Sequence, residues 1–394
     1  MDTNPLRARI AEVIRREGPI PFSRYMAMCL YEPELGYYMR PREQFGKAGD
    51  FYTSSDVHAL FGRLLCRQFV EFWQALGAPG VLDLIELGPG RGLFAGDVLD
   101  WAGKKHPQFL RALRYRLVET SPWLRQRQEE RLAGFIAEGR AKIDSDFSAA
   151  LAECGEALIV FGNEFFDALA VEVLAGQGEL RVSVPANATE TAASSATSGS
   201  LASFIEEFIQ PQPEVLEYVD RYSVHPGPQE RVEVALEAQR WMHRIAQAFT
   251  TRHGFAVFID YGYTRQEQLA GRHLDTLMTY RQHRAGENPY QAPGEQDITA
   301  HVNFTALRAA AESEGIDFLA LLTQAQFLMG VGEATQFAEA FEECRLPQEQ
   351  AKVALQLKHL VTPAGIGEIF QAIVFSHGVP REASRALSGL KFAR

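Results

Sequence analysis

The chain has 394 residues and a formal net charge of −11; 46% of its residues are hydrophobic and 23% are charged. This balance is typical of a soluble globular protein. The length exceeds what one ordinary hydrophobic core requires, which indicates a large domain with insertions or two domains. An acidic surface repels phosphate backbones, so nucleic acid is disfavoured as a partner, and a small molecule or a basic or neutral protein surface fits better.

Cysteine use and hydropathy indicate a cytoplasmic protein. The four cysteines lie far apart and form no C-x-x-C pair, which disfavours a disulfide framework or a zinc site and indicates reduced thiols. No apolar run approaches the roughly 18–20 residues that a membrane span needs, so no membrane insertion is predicted. The first 18 residues carry acids among their arginines and lack the apolar core of a signal peptide. The sequence therefore predicts a bacterial protein in the cytoplasm.

Strands and helices alternate along most of the chain. Apolar spacing predicts amphipathic helices over residues 4–18 and 58–76. Further helices separate short apolar runs that are typical of buried strands, which lie at 81–87, 113–120, 156–167 and 253–263, with a last one near the C-terminal end. Alternation of this kind predicts a doubly wound α/β fold, in which crossover helices connect the strands of a parallel sheet.

Three glycines follow the strand at 81–87 and precede a helix: Gly88, Gly90 and Gly92. Turns of this shape bind nucleotide-like cofactors. The dinucleotide fingerprint G-x-G-x-x-G would place its third glycine at position 93, which is Leu93 here. The spacing therefore argues against a dinucleotide. A tight strand–helix turn that binds no ligand is the alternative interpretation.

Two acidic residues lie beside the predicted turn. Glu86 directly precedes the glycines, where an acid suits a cofactor with positive groups, such as the ammonium and sulfonium of S-adenosyl-L-methionine, better than a pyrophosphate. Glu119 ends the next strand, where a carboxylate can accept hydrogen bonds from both ribose hydroxyls. The alternative for Glu119 is a solvated acid at a strand end.

A second polar cluster follows the strand at 156–167 and contains Asn163, Glu164 and Asp167. Ligands of such sheets bind outside the carboxyl ends of the strands. Two carboxylates three residues apart could clamp a cationic group through charge-assisted hydrogen bonds. Alternatively, Asn163 or Asp167 caps a following helix.

A third stretch, "KAGDFYTSSD", is polar, begins near a glycine and precedes a predicted helix. It contains Gly49, Asp50 and Thr53, and we predict that it folds over the cofactor. A capped loop without ligand is the alternative. The histidines show no metal-ligand spacing, and neither a Walker A motif nor a G-x-S-x-G elbow is present, so no metal site is predicted.

The alternation of strands and helices is interrupted after the second polar cluster. A hairpin, a small polar segment at 186–203 and a long helix at 230–249 are predicted there. We therefore predict three parts. Residues 1–80 form an N-terminal helical extension with the cofactor-side loop, residues 81–168 and 253–394 form the core, and residues 169–252 form an insertion between the fourth and fifth strands on the substrate side.

Several stretches, in order along nearly the whole chain, match one family: "YEPELGYYMR", "GDFYTSSDVHALFG", "IELGPGRGLFAGDVL", "LVETSPWLRQRQ", "GNEFFDALAVEV", "IDYGY" and "TPAGIGEIFQAIVF". The chain resembles the MidA-like family of S-adenosylmethionine-dependent methyltransferases, to which the mitochondrial complex I assembly arginine methyltransferase belongs. The resemblance implies the class I methyltransferase fold, a Rossmann-like sheet of seven strands with the last one antiparallel. Ala170 stands where the family usually has proline, and the segment 186–203 is unusually rich in Ala, Ser and Thr.

The resemblance also implies roles for the motif residues. The three glycines and Glu119 would lie against the cofactor, as would the loop with Gly49, Asp50 and Thr53. The cluster "GNEFFD" would face the substrate. Arginine methylation of a complex I-type protein subunit is the implied reaction, with Glu164 as the first and Asp167 as the second candidate for orienting the guanidinium.

Other functions stay open from the residues alone. A methyltransferase of a small molecule and a non-catalytic assembly or binding protein with a methyltransferase fold are the main alternatives. A nicotinamide-dependent dehydrogenase is disfavoured by Leu93 and Glu86. The sequence leaves the oligomeric state open.

Overall fold

The computed structural model describes residues 4–41, 59–185, 204–281, 284–286, 288–363 and 365–393. The described residues fall into two compact units. The first takes those within 1–51, 166–240 and 263–307, and the second those within 52–165, 241–262 and 308–394. The three-part division predicted from the sequence stays a prediction, since compactness alone does not define folding domains.

The secondary structure alternates as the sequence predicts. The strands are β1 (Ile20–Pro21), β2 (Leu82–Leu87), β3 (Leu113–Val118), β4 (Ala141–Asp144), β5 (Ala157–Asn163), β6 (Glu172–Ala175), β7 (Gly178–Ser183), β8 (Ile205–Ile209), β9 (Arg231–Val234), β10 (His253–Tyr263), β11 (Met278–Arg281), β12 (Arg284–Gly286), β13 (Asp297–Thr299), β14 (Val302–Asn303), β15 (Asp317–Thr323) and β16 (Phe370–His377). The helices are α1 (Pro5–Glu17), α2 (Phe22–Tyr31), α3 (Ala59–Ala75), α4 (Leu93–Lys105), α5 (Pro107–Ala112), α6 (Pro122–Ala137), α7 (Phe147–Ala152), α8 (Pro213–Tyr222), α9 (Leu236–Gln247), α10 (Arg265–Leu269), α11 (Phe304–Ser313), α12 (Gln324–Glu333), α13 (Ala338–Phe341), α14 (Pro347–Val361) and α15 (Arg381–Arg385).

The second unit is built on a central sheet. Seven of its strands run in the order β15-β16-β10-β5-β2-β3-β4. The pairs from β10 to β4 are parallel, whereas β16 is antiparallel to both of its neighbours. This is the class I methyltransferase arrangement that the resemblance implies, and the predicted fold is confirmed. The chain reverses its direction of winding between β2 and β5, and ligands of open α/β sheets bind at such a switch point.

Aromatic rings pack closely against the strands next to this switch point. The ring of Phe161 in β5 stacks on Phe94 of α4, with centroids 4.6 Å apart, and meets Phe69 of α3 edge-on. Phe72 of α3 stacks on Phe255 of β10 at 4.2 Å. Each fully buried phenylalanine contributes about 1.5–3 kcal/mol through its burial. The strand ends that carry the candidate site therefore rest on a well-packed core.

The first unit has a smaller sheet in the order β1-β7-β6-β9, with β8 paired to β7. Strands β6 to β9 lie in the chain between β5 and β10, which confirms the predicted insertion between the fourth and fifth strands of the central sheet. The prediction of one long helix at 230–249 is wrong. Arg231–Val234 pair with β6, because the alternating "RVEV" buries Val232 and Val234 in this sheet, and the helix begins only at Leu236.

The N-terminal segment is helical, as predicted, with α1 and α2 in the first unit. Asn4 caps α1 by accepting a hydrogen bond from the Arg7 amide, and Pro5 takes the first helical position. None of the helices in the described ranges is both long enough and apolar enough to cross a membrane.

Candidate active site

The glycine turn after β2 has a backbone that only glycine adopts readily. Gly88, Gly90 and Gly92 have φ angles of +64°, +51° and +70°, in the left-handed region that penalises residues with a Cβ atom. Space is restricted as well, since a Cβ atom built on Gly88 would lie 3.3 Å from Cδ2 of Phe165. Gly92 is the N-cap of α4. The turn therefore presents bare backbone and the amino end of a helix to a ligand.

Gln128 in α6 holds this turn and is not among the predicted site residues. Its side chain is fully buried, and Nε2 donates a hydrogen bond to the carbonyl oxygen of Gly90 at 2.6 Å. A signal was present in the sequence, because Leu124, Gln128 and Leu132 form one buried stripe at helical spacing. An amide at the centre of such a stripe is a polar group in an apolar position, which requires a partner.

Glu86 lies in β2 directly before the turn and is buried. The hydroxyl of Tyr115 donates a hydrogen bond to its carboxylate at 2.8 Å. Burial raises the pKa of Glu86 to about 8; the bond from Tyr115 opposes this shift, and the negative charge of Glu119 adds to it. A carboxylate with this environment gains from a cationic neighbour, which would lower its pKa again.

Glu119 follows β3 and is 7% exposed, so it is not the solvated strand-end acid of the alternative interpretation. It accepts a hydrogen bond from the backbone amide of Ser121, which itself caps α6. Burial raises the pKa of Glu119 to about 7, against the lowering effect of this hydrogen bond and of Arg125. The carboxylate is thus fixed in orientation and poorly solvated, as a group that binds hydroxyls should be.

The loop after β5 places Glu164 in a strained conformation. Its φ is +53°, a region that non-glycine residues occupy at a cost and mostly at functional sites. The backbone is held there by a hydrogen bond from its amide to the carbonyl of Ile259, and Asn163 Nδ2 donates to Glu164 Oε1 at 2.8 Å. Residues 164–171 form bends and turns rather than a helix, so Asn163 and Asp167 are not helix caps.

The structure brings the glycine turn and this loop to one edge of the sheet. Strands β2 and β5 are paired with Leu87 opposite Gly162, so the turn and the loop leave the sheet side by side. The ring of Phe165, in the loop, lies close to Gly88 in the turn. The same ring packs edge-on against Trp241, with the ring centroids 5.1 Å apart. The sequence did not predict Trp241 in α9 as a neighbour of this site, because the local pattern of an amphipathic helix does not show that its partner is Phe165.

Of the remaining predicted residues, one lies in the first unit and three lie outside the described residues. Asp167 belongs to the first unit, where it is buried and its carbonyl accepts a hydrogen bond from the amide of Ala300. Gly49, Asp50 and Thr53 lie outside the described residues. Across the described part of the chain, no group of three His, Cys, Asp or Glu side chains is arranged to hold a metal ion.

The residues present fit an adenosine cofactor with a positive charge. The turn admits close approach of a ligand to its backbone, and two buried carboxylates flank it. Carboxylates of raised pKa are suited to ligand hydroxyls and cations and poorly suited to a pyrophosphate. These residues therefore agree with S-adenosylmethionine, and Glu86 beside the turn is poorly placed for a pyrophosphate.

Known proteins are similar to this chain over most of its length. Residues 64–322 match a family model described as "Putative S-adenosyl-L-methionine-dependent methyltransferase". The mitochondrial protein arginine methyltransferase NDUFAF7 homolog of Drosophila melanogaster is 30% identical, over 95% of this chain and 84% of its own length. Its human counterpart is 27% identical, over 93% of this chain and 82% of its own.

A solved structure extends the comparison to the fold. This crystal structure, of a protein from Burkholderia thailandensis bound to S-adenosyl-homocysteine, has 28% sequence identity and a TM-score of 0.77, and covers 99% of this chain and 95% of that one. The predicted resemblance is confirmed, and so is the predicted cofactor. The chain belongs to the family of S-adenosyl-L-methionine-dependent methyltransferases.

Proposed function

We propose that this methyltransferase modifies an arginine side chain of a protein, and that the protein is a subunit of a complex I-type respiratory enzyme. The names of the fly and human relatives support the arginine, and the MidA-like resemblance supports the complex I-type subunit. In the structure, the observation that carries the proposal is the carboxylate of Glu164, held in a strained backbone beside the glycine turn.

The cofactor-side roles follow from position. We assign Glu119 to the ribose hydroxyls, Glu86 to the positively charged end of the cofactor, and the three glycines to the close approach of its methionine and ribose parts. Gly49, Asp50 and Thr53 are proposed to cover the cofactor. When bound, S-adenosylmethionine supplies a methyl group activated by a positively charged sulfur.

The acceptor side needs a group that orients a cation. A guanidinium keeps its charge at any physiological pH, since its pKa is above about 12. A fixed carboxylate accepts its N–H hydrogen bonds, draws the positive charge away from the attacking nitrogen and holds that nitrogen in line. Glu164 is assigned this role, Asn163 holds one of its oxygens, and Asp167 is the second candidate.

The test incubates the purified protein with methyl-labelled S-adenosylmethionine and a bacterial lysate, or with isolated complex I subunits. Label is expected in one protein band, and mass spectrometry is expected to locate it on arginine. Label only in small solutes would instead show a small-molecule methyltransferase. Cofactor binding without any transfer would show a non-catalytic assembly protein, and either result overturns the proposal.

Glu164→Gln tests the assigned residue. This variant keeps the size of the side chain and its bond from Asn163 but removes the negative charge. Transfer is expected to fall at least 100-fold, within the range for loss of a group that stabilises charge in the transition state, while S-adenosylhomocysteine binds within twofold of wild type. Glu129→Gln, an exposed change in α6, is the matched control and should leave both unchanged. Normal methylation by Glu164→Gln would refute the assignment.

We also propose that the protein acts in the bacterial cytoplasm. The four cysteines are free thiols in the structure, as expected for a reducing compartment. The relatives named above are mitochondrial, and fractionation of the native host decides the location for this chain.

A further inference from the structure

The buried amide of Gln128 is a polar group that the proposed reaction does not yet use. It lies in α6, and Nε2 donates to the carbonyl oxygen of Gly90 at 2.6 Å. A carbonyl oxygen only accepts hydrogen bonds, so the amide atom that faces it must be the nitrogen. The orientation of the side chain is thereby settled, and Oε1 points elsewhere.

This hydrogen bond fixes one peptide plane of the glycine turn. In a trans peptide the carbonyl and the following N–H point in opposite directions. Holding the Gly90 carbonyl toward Gln128 therefore directs the N–H of Arg91 away from α6. Glycine at a φ of +51° exchanges between backbone conformations at little cost, so the turn alone does not select this orientation. We propose that Gln128 is a positioning residue for the cofactor, locking the Gly90–Arg91 peptide in the orientation that binds S-adenosylmethionine.

A further observation argues against a role in packing alone. Oε1 of Gln128 is buried and has no hydrogen-bond partner among the described residues, an arrangement that destabilises a protein. An apolar side chain of the same length would fill the space without this penalty. The side chain also lies along the turn, because a Cβ atom built on Gly92 would be 3.2 Å from Gln128 Cγ.

The first test replaces the amide by an apolar group of similar length. Gln128→Met is expected to bind S-adenosylhomocysteine about tenfold more weakly in calorimetry, since one buried hydrogen bond no longer orders the turn. Gln126→Met is the control, because Gln126 is exposed on the same helix and bonds only to Glu130 in the described structure; it should bind within twofold of wild type. Binding by Gln128→Met within twofold of wild type would overturn the proposal.

The second test has a readout that a purely structural side chain does not change. In Gln128→Glu, the new carboxyl donates to the Gly90 carbonyl only when it is protonated. The ratio of its Kd for S-adenosylhomocysteine to that of wild type, measured at each pH, should fall at least threefold from pH 8 to pH 6. Taking the ratio removes the titration of Glu86 and Glu119, which both proteins share. A ratio independent of pH, in a variant whose Tm shows that it is folded, contradicts the proposed role.

Discussion

The glycine turn after β2 and the loop after β5 leave the same sheet edge, and both contain residues in the left-handed region, but they differ in what they present. The turn uses Gly88, Gly90 and Gly92, so a ligand can approach the backbone itself. The loop places a side chain in the same kind of conformation, at Glu164. Exposed backbone in the turn suits binding of a cofactor that is always the same, whereas a single charged side chain in the loop suits orienting an acceptor group.

The largest effect on cofactor binding is expected at Glu119. Glu119→Gln keeps the size of the side chain but removes the charge, and hydrogen bonds to charged groups contribute about 1.5–3 kcal/mol each. The Kd for S-adenosylhomocysteine should therefore rise about 100-fold in calorimetry. Glu129→Gln serves as control. An unchanged Kd would show that Glu119 does not bind the ribose, and the proposed division between a cofactor-binding turn and an acceptor-binding loop would lose its main support.

The buried acids of the turn also set a pH dependence of stability. The folded protein holds the proton of Glu86 up to about pH 8, whereas the unfolded chain releases it near its ordinary pKa. Between about pH 5 and 8 the folded state therefore binds more protons, and the free energy of unfolding falls as the pH rises. For the protein without cofactor we expect a loss on the order of 3–4 kcal/mol from this residue over this pH range.

Urea unfolding at several pH values measures this effect. Glu86→Gln should match wild type near pH 5, become the more stable protein near pH 8, and show a flatter profile between them. Burial also raises the pKa of Glu233 to about 7. This residue therefore contributes part of the dependence of stability on pH in both proteins. Parallel profiles for the variant and wild type would mean that Glu86 does not carry the proton in this range.

A smaller effect is expected from the backbone of the turn. Gly88→Ala adds a Cβ atom 3.3 Å from Phe165 at a φ of +64°, and an L-residue in this region costs about 1–2 kcal/mol. We expect about tenfold weaker binding of S-adenosylhomocysteine. Gly134→Ala is the control, because it lies exposed in α6 with open space around it and should raise stability by about 0.5–1 kcal/mol. Equal affinities of Gly88→Ala and wild type would show that the turn tolerates side chains.

The residues of the site that were predictable are those whose signal is local. Glu86 lies near the end of an apolar strand, and the glycines and Glu119 follow directly on apolar strands, so alternation and spacing place them at one sheet edge. Gln128 and Trp241 have partners far along the chain, at Gly90 and Phe165, and no local pattern identifies such a partner. The helix predicted at 230–249 was wrong for the same reason, since the pairing of Arg231–Val234 with β6 overrides helical propensity.

The smallest expected effect is a change in stability at Glu164, which separates the role of backbone strain from that of the negative charge. Glu164→Gly removes the carboxylate and also relieves the left-handed backbone, because glycine adopts a φ of +53° without penalty. The relief exceeds the entropy that glycine adds to the unfolded chain, so a gain of about 0.5–1 kcal/mol in the free energy of unfolding is expected. Glu164→Gln keeps the strain and should gain less. If the negative charge is needed, both variants lose methyl transfer. If the backbone is strained for function, only Glu164→Gly gains clearly in its free energy of unfolding. A lower stability of Glu164→Gly would show instead that the contacts of the Glu164 side chain hold the loop and that its role is structural.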